Sequence, residues 1–186
     1  MKGCRPFTDK EITTISDSLE SLRDKCLFNL GIFTGFRITE ILSLKVKDVM
    51  EKDSVINDRV SVYRMHMKNK IESRDVLLHS KVKKMLLEHI KESGLKSFEF
   101  IFKSQKGFNK PISRQQAWRL LKDAASGMDG KIGTHSARKT FAKRMYEYFK
   151  KDLVKTCKAL GHKNINSTVS YLSFDTAELD KAIEDW

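Results

Sequence analysis

Cysteine and long apolar runs are both scarce in this 186-residue sequence. The three cysteines, Cys4, Cys26 and Cys157, are odd in number and form no Cys-x-x-Cys pair, so they indicate neither a disulfide framework nor a zinc site. The sequence also lacks a run of about 18 apolar residues, and residues 1–10 lack the apolar stretch of a signal peptide. We therefore expect a cytoplasmic protein that does not span a membrane.

Positive charge is the most distinctive feature of the composition. The chain has 36 Lys and Arg against 24 Asp and Glu, which gives a net charge of +12. Such an excess favours a polyanionic partner, and its grouping into short clusters, such as Lys81 with Lys83 and Lys84, suits a phosphate backbone. Composition alone leaves DNA, RNA, the ribosome and an anionic membrane open as partners.

The hydrophobic pattern predicts a mixed fold. Hydrophobic residues make up 40% of the chain, which is ordinary for a globular domain. Apolar residues recur at helical spacing in residues 9–22, 24–34, 37–44, 80–93, 113–125, 136–149, 152–160, 165–172 and 176–184. Short β-branched segments predict strands at residues 46–49, 60–67 and 73–78, with a turn at 68–72 and a further extended segment at 98–102. We predict an α+β, mainly helical fold in which a small antiparallel β-sheet packs against a helical core.

The first candidate motif is Thr-Gly-Phe-Arg-Ile-Thr-Glu, residues 34–40. Gly35 ends an apolar helix and Arg37 opens the next one, where exposed backbone amides favour anions and a guanidinium adds a two-pronged donor for phosphate oxygens. Glu40 is placed to brace the arginine. The alternative is a surface arginine that pairs with Glu40 and binds nothing.

The second motif is Gly-Thr-His-Ser-Ala-Arg, residues 133–138. His135 and Arg138 are three residues apart, so on a helix they share a face and two donors can converge on one phosphate. Taken alone, this pair is a weak signal, because histidine and arginine often meet at this spacing by chance.

The third motif is Leu-Gly-His, residues 160–162, followed nine residues later by Tyr171. Gly161 ends one predicted helix, and Tyr171 lies in the next on a face shared with Ile165 and Thr168. The alternative for Tyr171 is a core or interface residue.

The order of these motifs resembles the catalytic domain of the tyrosine recombinase, or phage integrase, family. The shared pattern is Thr-Gly-x-Arg-x-x-Glu, a basic β-turn, His-x-x-Arg, Leu-Gly-His and a tyrosine nine residues further on. Arg5–Glu11 also resembles the usual opening of that domain, so the resemblance spans essentially the whole chain. It implies a catalytic domain at residues 1–174 and a helical tail at 175–186, which docks on a neighbouring protomer or packs on its own domain.

The same resemblance implies a role for each motif residue. Arg37 and Arg138 match the arginines that clamp the phosphate, and Tyr171 matches the nucleophile. The matching set of catalytic residues is Arg37, Lys68, His135, Arg138, His162 and Tyr171. Glu40 matches the acidic residue that supports the site. The general-acid lysine of the family lies in the turn between two strands, about seven residues before a valine of the next strand. Counting back from Val76 reaches Asn69, and we favour Lys68, at the end of the predicted strand 60–67, with Lys70 as the alternative.

The implied activity is site-specific recombination of DNA. The enzyme would cleave and rejoin double-stranded DNA through a 3′-phosphotyrosine, in DNA integration or excision, as a homotetramer on DNA and without a metal, ATP or any cofactor. One alternative is a catalytically silent DNA-binding relative or regulator. A type IB topoisomerase shares the chemistry, but the spacing from His162 to Tyr171 is more typical of integrases.

Overall fold

A computed structural model of the protein describes residues 4–51, 55–65, 71–172 and 184. The chain divides into two units, Met1–Phe141 and Ala142–Trp186, with the boundary inside a helix. Elements that begin in the first unit are α1 (Asp9–Ser18), α2 (Leu22–Thr34), α3 (Ile38–Leu42), α4 (Val46–Val49), β1 (Arg59–Met65), β2 (Ile71–Leu77), α5 (Ser80–Glu92), α6 (Arg114–Ala124) and α7 (Thr134–Tyr148). The second unit continues with α8 (Leu153–Leu160) and α9 (Ile165–Leu172). This order confirms the predicted α+β, mainly helical class.

A short break separates α1 from α2. The Thr8 hydroxyl accepts a hydrogen bond from the Glu11 N–H at 3.3 Å, and the Glu11 carboxylate accepts one from the Thr8 N–H at 2.8 Å, which is a reciprocal N-terminal cap. α1 ends at Ser18. The Ser21 hydroxyl starts a new helix by accepting a hydrogen bond from the Asp24 N–H at 3.1 Å. The prediction of one helix through residue 22 was therefore wrong at its C-terminal end.

The central helix of the first unit is α2. Leu30 is 0% exposed and Ile32 is 1% exposed, and apolar side chains surround the helix, as its sequence predicted. Leu30 belongs to one buried apolar cluster and Ile32 to another, so α2 contributes to both. Each such fully buried side chain contributes about 1.5–3 kcal/mol to folding. This burial fixes the position of the C-terminal end of α2.

The sheet in the described part of the chain is an antiparallel pair of strands. β1 pairs with β2 in a register that runs from Arg59 opposite Leu77 to Met65 opposite Ile71. Val60 and Val62 are buried in the cluster that includes Leu30, which packs the sheet against the helices as predicted. β2 begins at Ile71, two residues earlier than predicted. Residues 66–67 of the predicted strand and residues 68–70 of the predicted turn lie outside the described residues.

The strand predicted at residues 46–49 was wrong, because this segment is the helix α4. The Asp48 carboxylate accepts a hydrogen bond from the Lys45 N–H at 2.8 Å, which caps a helical turn. Val46 and Val49 are both buried, and their spacing of three residues places them on one helical face. The extended segment predicted at 98–102 is reduced to a single bridge between Lys45 and Phe100.

The later helices were predicted within about two residues of their observed ends, the usual uncertainty of helix boundaries. α8 ends at Gly161, as the Leu-Gly-His motif indicated. The helix predicted at 176–184 lies outside the described residues except for Glu184, which is helical. Among the described helices, none combines the length and the apolar character needed to cross a membrane.

Gly35 and Gly94 form a matched pair for testing the packing at the end of α2. Their φ angles are 60° and 58°, so alanine meets about the same backbone strain at either position. A Cβ at Gly35 would overlap the Phe141 ring, whereas a Cβ at Gly94 would have no described atom within 4 Å. Because overpacking costs about 1–3 kcal/mol, we expect Gly35→Ala to lower the free energy of unfolding by that much more than Gly94→Ala. Urea unfolding measures both, and equal losses would contradict the close packing.

Candidate active site

The turn between α2 and α3 carries Arg37. Arg37 has φ −69° and ψ 150° and forms the N-terminal cap of α3. Its backbone N–H donates to Glu40 Oε2 at 2.7 Å, and its Nη1 donates to Glu40 Oε1 at 3.0 Å. The Arg37 side chain is 36% exposed and that of Glu40 is 6% exposed. Glu40 therefore braces Arg37 from a buried position while part of the arginine stays accessible.

His135 and Arg138 lie on the first two turns of α7, three residues apart as predicted. Arg138 is 1% exposed, and its Nη1 donates a hydrogen bond to the Gly35 carbonyl, two residues before Arg37. The two predicted clamp arginines are thus attached to the same turn. Arg138 contacts this turn from the protein interior, since Arg138 is buried and Arg37 is partly exposed.

His135 lies within the electric field of both arginines. Partial burial lowers its pKa, and the positive charges of Arg138, Arg37 and Lys139 lower it further. His135 is therefore neutral at pH 7 and can accept a proton. The first unit thus brings together three of the predicted site residues, Arg37, His135 and Arg138.

The N-terminal segment secures the loop that precedes α7. The Arg5 N–H donates to the Lys131 carbonyl at 2.9 Å, and Arg5 Nε donates to the Asp129 carbonyl at 2.7 Å. Arg5 also donates to the Glu11 carboxylate, and this hydrogen bond is the main reason why the pKa of Glu11 falls to about 2. These contacts attach the N-terminal segment to the loop that leads into α7, the helix that carries His135.

His162 and Tyr171 lie together in the second unit. Gly161 ends α8 with φ 60°, and His162 follows it directly. The centres of the His162 and Tyr171 rings are 5.2 Å apart, with an angle of 67° between the ring planes, which is an edge-to-face contact. The structure therefore brings the second predicted histidine next to the predicted nucleophile.

Thr168 orients His162 and was not among the predicted site residues. Its Oγ1 shares a hydrogen bond of 2.9 Å with His162 Nδ1, and Thr168 is 0% exposed. This bond fixes the plane of the imidazole beside the Tyr171 ring. The available signal was the spacing of three residues between Thr168 and Tyr171, which places both on one face of α9.

The two candidate lysines, Lys68 and Lys70, lie outside the described residues. In the sequence they belong to the connection between Met65, where β1 ends, and Ile71, where β2 begins. The choice between them stays a prediction.

Comparison with known proteins identifies the family. The model of the phage integrase family matches residues 5–178. The chain is 37% identical over 155 residues to the probable integrase/recombinase YoeC of Bacillus subtilis, which covers 82% of this chain and 78% of YoeC. It is 27% identical over 192 aligned positions to the tyrosine recombinase XerH of Campylobacter jejuni, which covers 96% of this chain and 51% of XerH. The chain therefore belongs to the phage integrase family, and it spans about half the length of XerH.

Solved structures agree on the fold. XerH bound to its palindromic difH substrate, in a post-cleavage complex, superposes with a TM-score of 0.72 at 24% identity, over 98% of this chain and 53% of that chain. The catalytic domain of the bacteriophage HP1 integrase superposes with a TM-score of 0.59 at 16% identity, over 97% of this chain and 94% of that chain. The fold is that of a tyrosine recombinase catalytic domain.

The titration of His135 tests the grouping of the first three residues. Because Arg37 contributes to the lowered pKa of His135, we expect Arg37→Gln to raise that pKa. The pKa of His89 is also lowered, mainly by burial, and Arg37 is not among its causes, so His89 serves as the control in the same protein. Proton NMR of the imidazole signals follows both residues. An unchanged His135 pKa in the variant would place Arg37 too far away to act with it.

Proposed function

We propose that this chain is the catalytic part of a site-specific recombinase that cleaves and rejoins double-stranded DNA through a covalent bond to Tyr171, in DNA integration or excision. The observation that carries the proposal is the convergence of Arg37 and Arg138 on one turn, with His135 in the field of both. Membership in the phage integrase family supports it. The post-cleavage DNA complex of XerH supports DNA as the substrate.

In the cleavage step, Tyr171 Oη attacks the phosphorus atom and the bond from phosphorus to the 5′ oxygen breaks. The negative charge of the two non-bridging oxygens is held by the guanidinium groups of Arg37 and Arg138, whose planar donors fit a phosphate. A phenol ordinarily keeps its proton at neutral pH, so a base must accept that proton during attack. His135 takes this role, because its lowered pKa keeps it neutral.

The departing 5′ oxygen needs a proton, because an alkoxide is a poor leaving group at neutral pH. Lys68 donates that proton, with Lys70 as the alternative. His162, held by Thr168 at 2.9 Å, adds a donor for the phosphate oxygens beside the nucleophile. The product is a 3′-phosphotyrosine and a free 5′ hydroxyl.

Rejoining reverses these steps with a second DNA end. The incoming 5′ hydroxyl attacks the phosphotyrosine, the phenol leaves, and His135 returns its proton. One phosphoester replaces another in each step, so the bond energy is retained and the reaction consumes no ATP. The groups that act in these steps are side chains of the protein, and no step uses a metal or cofactor.

The buried position of Arg138 places a requirement on this mechanism. At 1% exposure its guanidinium cannot meet a phosphate without a local change. Binding of DNA must therefore expose the Arg138 guanidinium, which is bonded to the Gly35 carbonyl before DNA binds. The proposal accordingly includes a closed state of the site before DNA binds.

Exchange between two DNA duplexes requires several protomers. We propose a homotetramer on DNA in which residues 175–186 dock on a neighbouring protomer. The net charge of +12 supports an electrostatic contribution to DNA binding that weakens with salt. A catalytically silent DNA-binding relative is the alternative function, and it would bind DNA without forming a covalent adduct.

Replacing the nucleophile tests the proposal directly. We expect Tyr171→Phe to abolish covalent capture of a nicked suicide substrate, because the only change is loss of the attacking hydroxyl, while DNA affinity stays the same. Capture is measured as a DNA adduct that survives denaturing gel electrophoresis, and mass spectrometry locates the modified residue.

Tyr148→Phe is the matched control, since Tyr148 is 78% exposed and has no assigned role. It should form the adduct as fast as the wild-type protein. An adduct formed by Tyr171→Phe would refute the assignment of the nucleophile, and a wild-type protein that forms none would favour the silent relative.

A sulfur substitution distinguishes Lys68 from Lys70. A thiol ordinarily has a pKa of about 8.5, so a 5′-thiolate leaves without a donated proton. We expect Lys68→Ala to cleave a normal substrate slowly and to recover on a substrate with sulfur at the bridging 5′ position. Lys70→Ala, the matched control, should cleave both substrates at the wild-type rate. Recovery of Lys70→Ala in place of Lys68→Ala would assign the general acid to Lys70.

A further inference from the structure

A buried cation lies in the sheet beside the candidate site and has no role in the mechanism above. Arg74 of β2 is 7% exposed and stands opposite Val62 in the antiparallel register. Val60 and Val62 on the facing strand are both buried, so Arg74 lies beside buried apolar side chains. Burial of a cation in such surroundings is costly unless specific partners compensate it.

Its partners are the carbonyl groups at the C-terminal end of α2. Arg74 Nη2 donates to the Thr34 carbonyl at 2.8 Å, and Nη1 donates to the Gly35 carbonyl at 3.4 Å. Carbonyls at this end of a helix lack partners within the helix and carry the negative end of its dipole, so a guanidinium is a favourable cap. Arg74 thus fixes the Thr34–Gly35 and Gly35–Phe36 peptide groups, which lie just before Arg37 in the chain.

The Gly35 carbonyl also accepts a hydrogen bond from Arg138 Nη1. One backbone oxygen is therefore shared by the guanidinium groups of Arg74 and Arg138. A displacement of this oxygen would change the position of Arg138 and, two residues along the chain, of Arg37.

Two aromatic rings also contact the Arg74 guanidinium. The guanidinium carbon lies 5.1 Å from the centre of the Phe36 ring and 5.8 Å from that of the Phe141 ring. Phe36 precedes Arg37, and Phe141 lies one helical turn after Arg138. Arg74 therefore contacts the residue that precedes Arg37 and a residue one helical turn from Arg138.

We propose that Arg74 is a positioning residue that sets the geometry of the phosphate clamp and ties it to the β-hairpin. This inference rests on the proposed function, because it assigns Arg74 to the same reaction. Arg74 is three residues from Ile71, where the connection bearing Lys68 and Lys70 rejoins the sheet. It acts through Arg37 and Arg138 and does not itself contact the DNA.

Lysine cannot reproduce this arrangement. A guanidinium offers two terminal donors in one plane and a flat face for each of two rings, whereas an ammonium is a single point charge. Arg74→Lys keeps the charge and loses the double contact with Thr34 and Gly35. Arg74→Met removes the charge as well.

The test compares two suicide substrates in single-turnover cleavage. One has a normal phosphate at the cleavage site, and the other has a methylphosphonate, in which a neutral methyl replaces a charged non-bridging oxygen. We expect Arg74→Lys and Arg74→Met to cleave the phosphate about 100-fold more slowly than the wild-type protein, the size of loss that a small misplacement of catalytic groups produces. On the methylphosphonate the deficit should largely disappear, because little charge is left for the clamp to stabilise.

Affinity for DNA and thermal unfolding are measured alongside. Because Arg74 is buried, we expect the variants to bind DNA as tightly as the wild-type protein. Arg59→Met is the matched control: Arg59 lies on the neighbouring strand, pairs with Asp75 at the surface and should cleave both substrates at the wild-type rate. If Arg74→Met does not fold, Arg74→Lys decides the question.

Two results would overturn the inference while leaving the proposed function intact. One is cleavage of the phosphate by the variants at the wild-type rate. The other is a loss by the same factor on both substrates, as a general structural defect would produce. A wild-type protein that forms no adduct on the phosphate substrate would instead overturn the proposed function, and this inference with it.

Discussion

The carbonyl oxygen of Gly35 is the point on which the first half of the site depends. It receives hydrogen bonds from Arg74 on β2 and Arg138 on α7, and it lies two residues before Arg37. A sheet, a helix and a turn from distant parts of the sequence therefore meet at one backbone atom. Glycine suits this position for two reasons. Its φ lies in the left-handed region, and a side chain there would overlap Phe141.

Close packing of like charges requires compensation, and neighbouring groups of the protein supply it. The C-terminal carbonyls of α2 offset Arg74 and Arg138, and the buried Glu40 carboxylate offsets Arg37. Partial burial lowers the pKa of His135, and the remaining positive charge of Arg138, Arg37 and Lys139 lowers it further. Arg37, which is partly exposed, is therefore oriented for an anion before one arrives, whereas the buried Arg138 becomes available only after a local change.

The sequence predicted the fold class, most helix positions and the grouping of Arg37, His135 and Arg138, because glycine breaks and residue spacing are local signals. It failed at residues 46–49, where valines separated by three residues fit a buried helical turn as well as a strand. Arg74 was missed for another reason. A cation in a strand pattern reads as solvent-exposed, and only tertiary structure reveals the carbonyls and rings that bury it. Thr168 was likewise noted only as a neighbour of Tyr171, since its bond to His162 depends on tertiary structure.

The central claim is that both guanidinium groups act on one phosphorus atom. A structure of the protein trapped on a nicked DNA substrate tests it most directly. The account predicts a covalent bond from Tyr171 Oη to a 3′ phosphate, with Arg37 and the uncovered Arg138 both within hydrogen-bond distance of that phosphate's oxygens. A complex in which the two arginines bind different phosphates, or in which Arg138 stays buried beside an intact adduct, would contradict it.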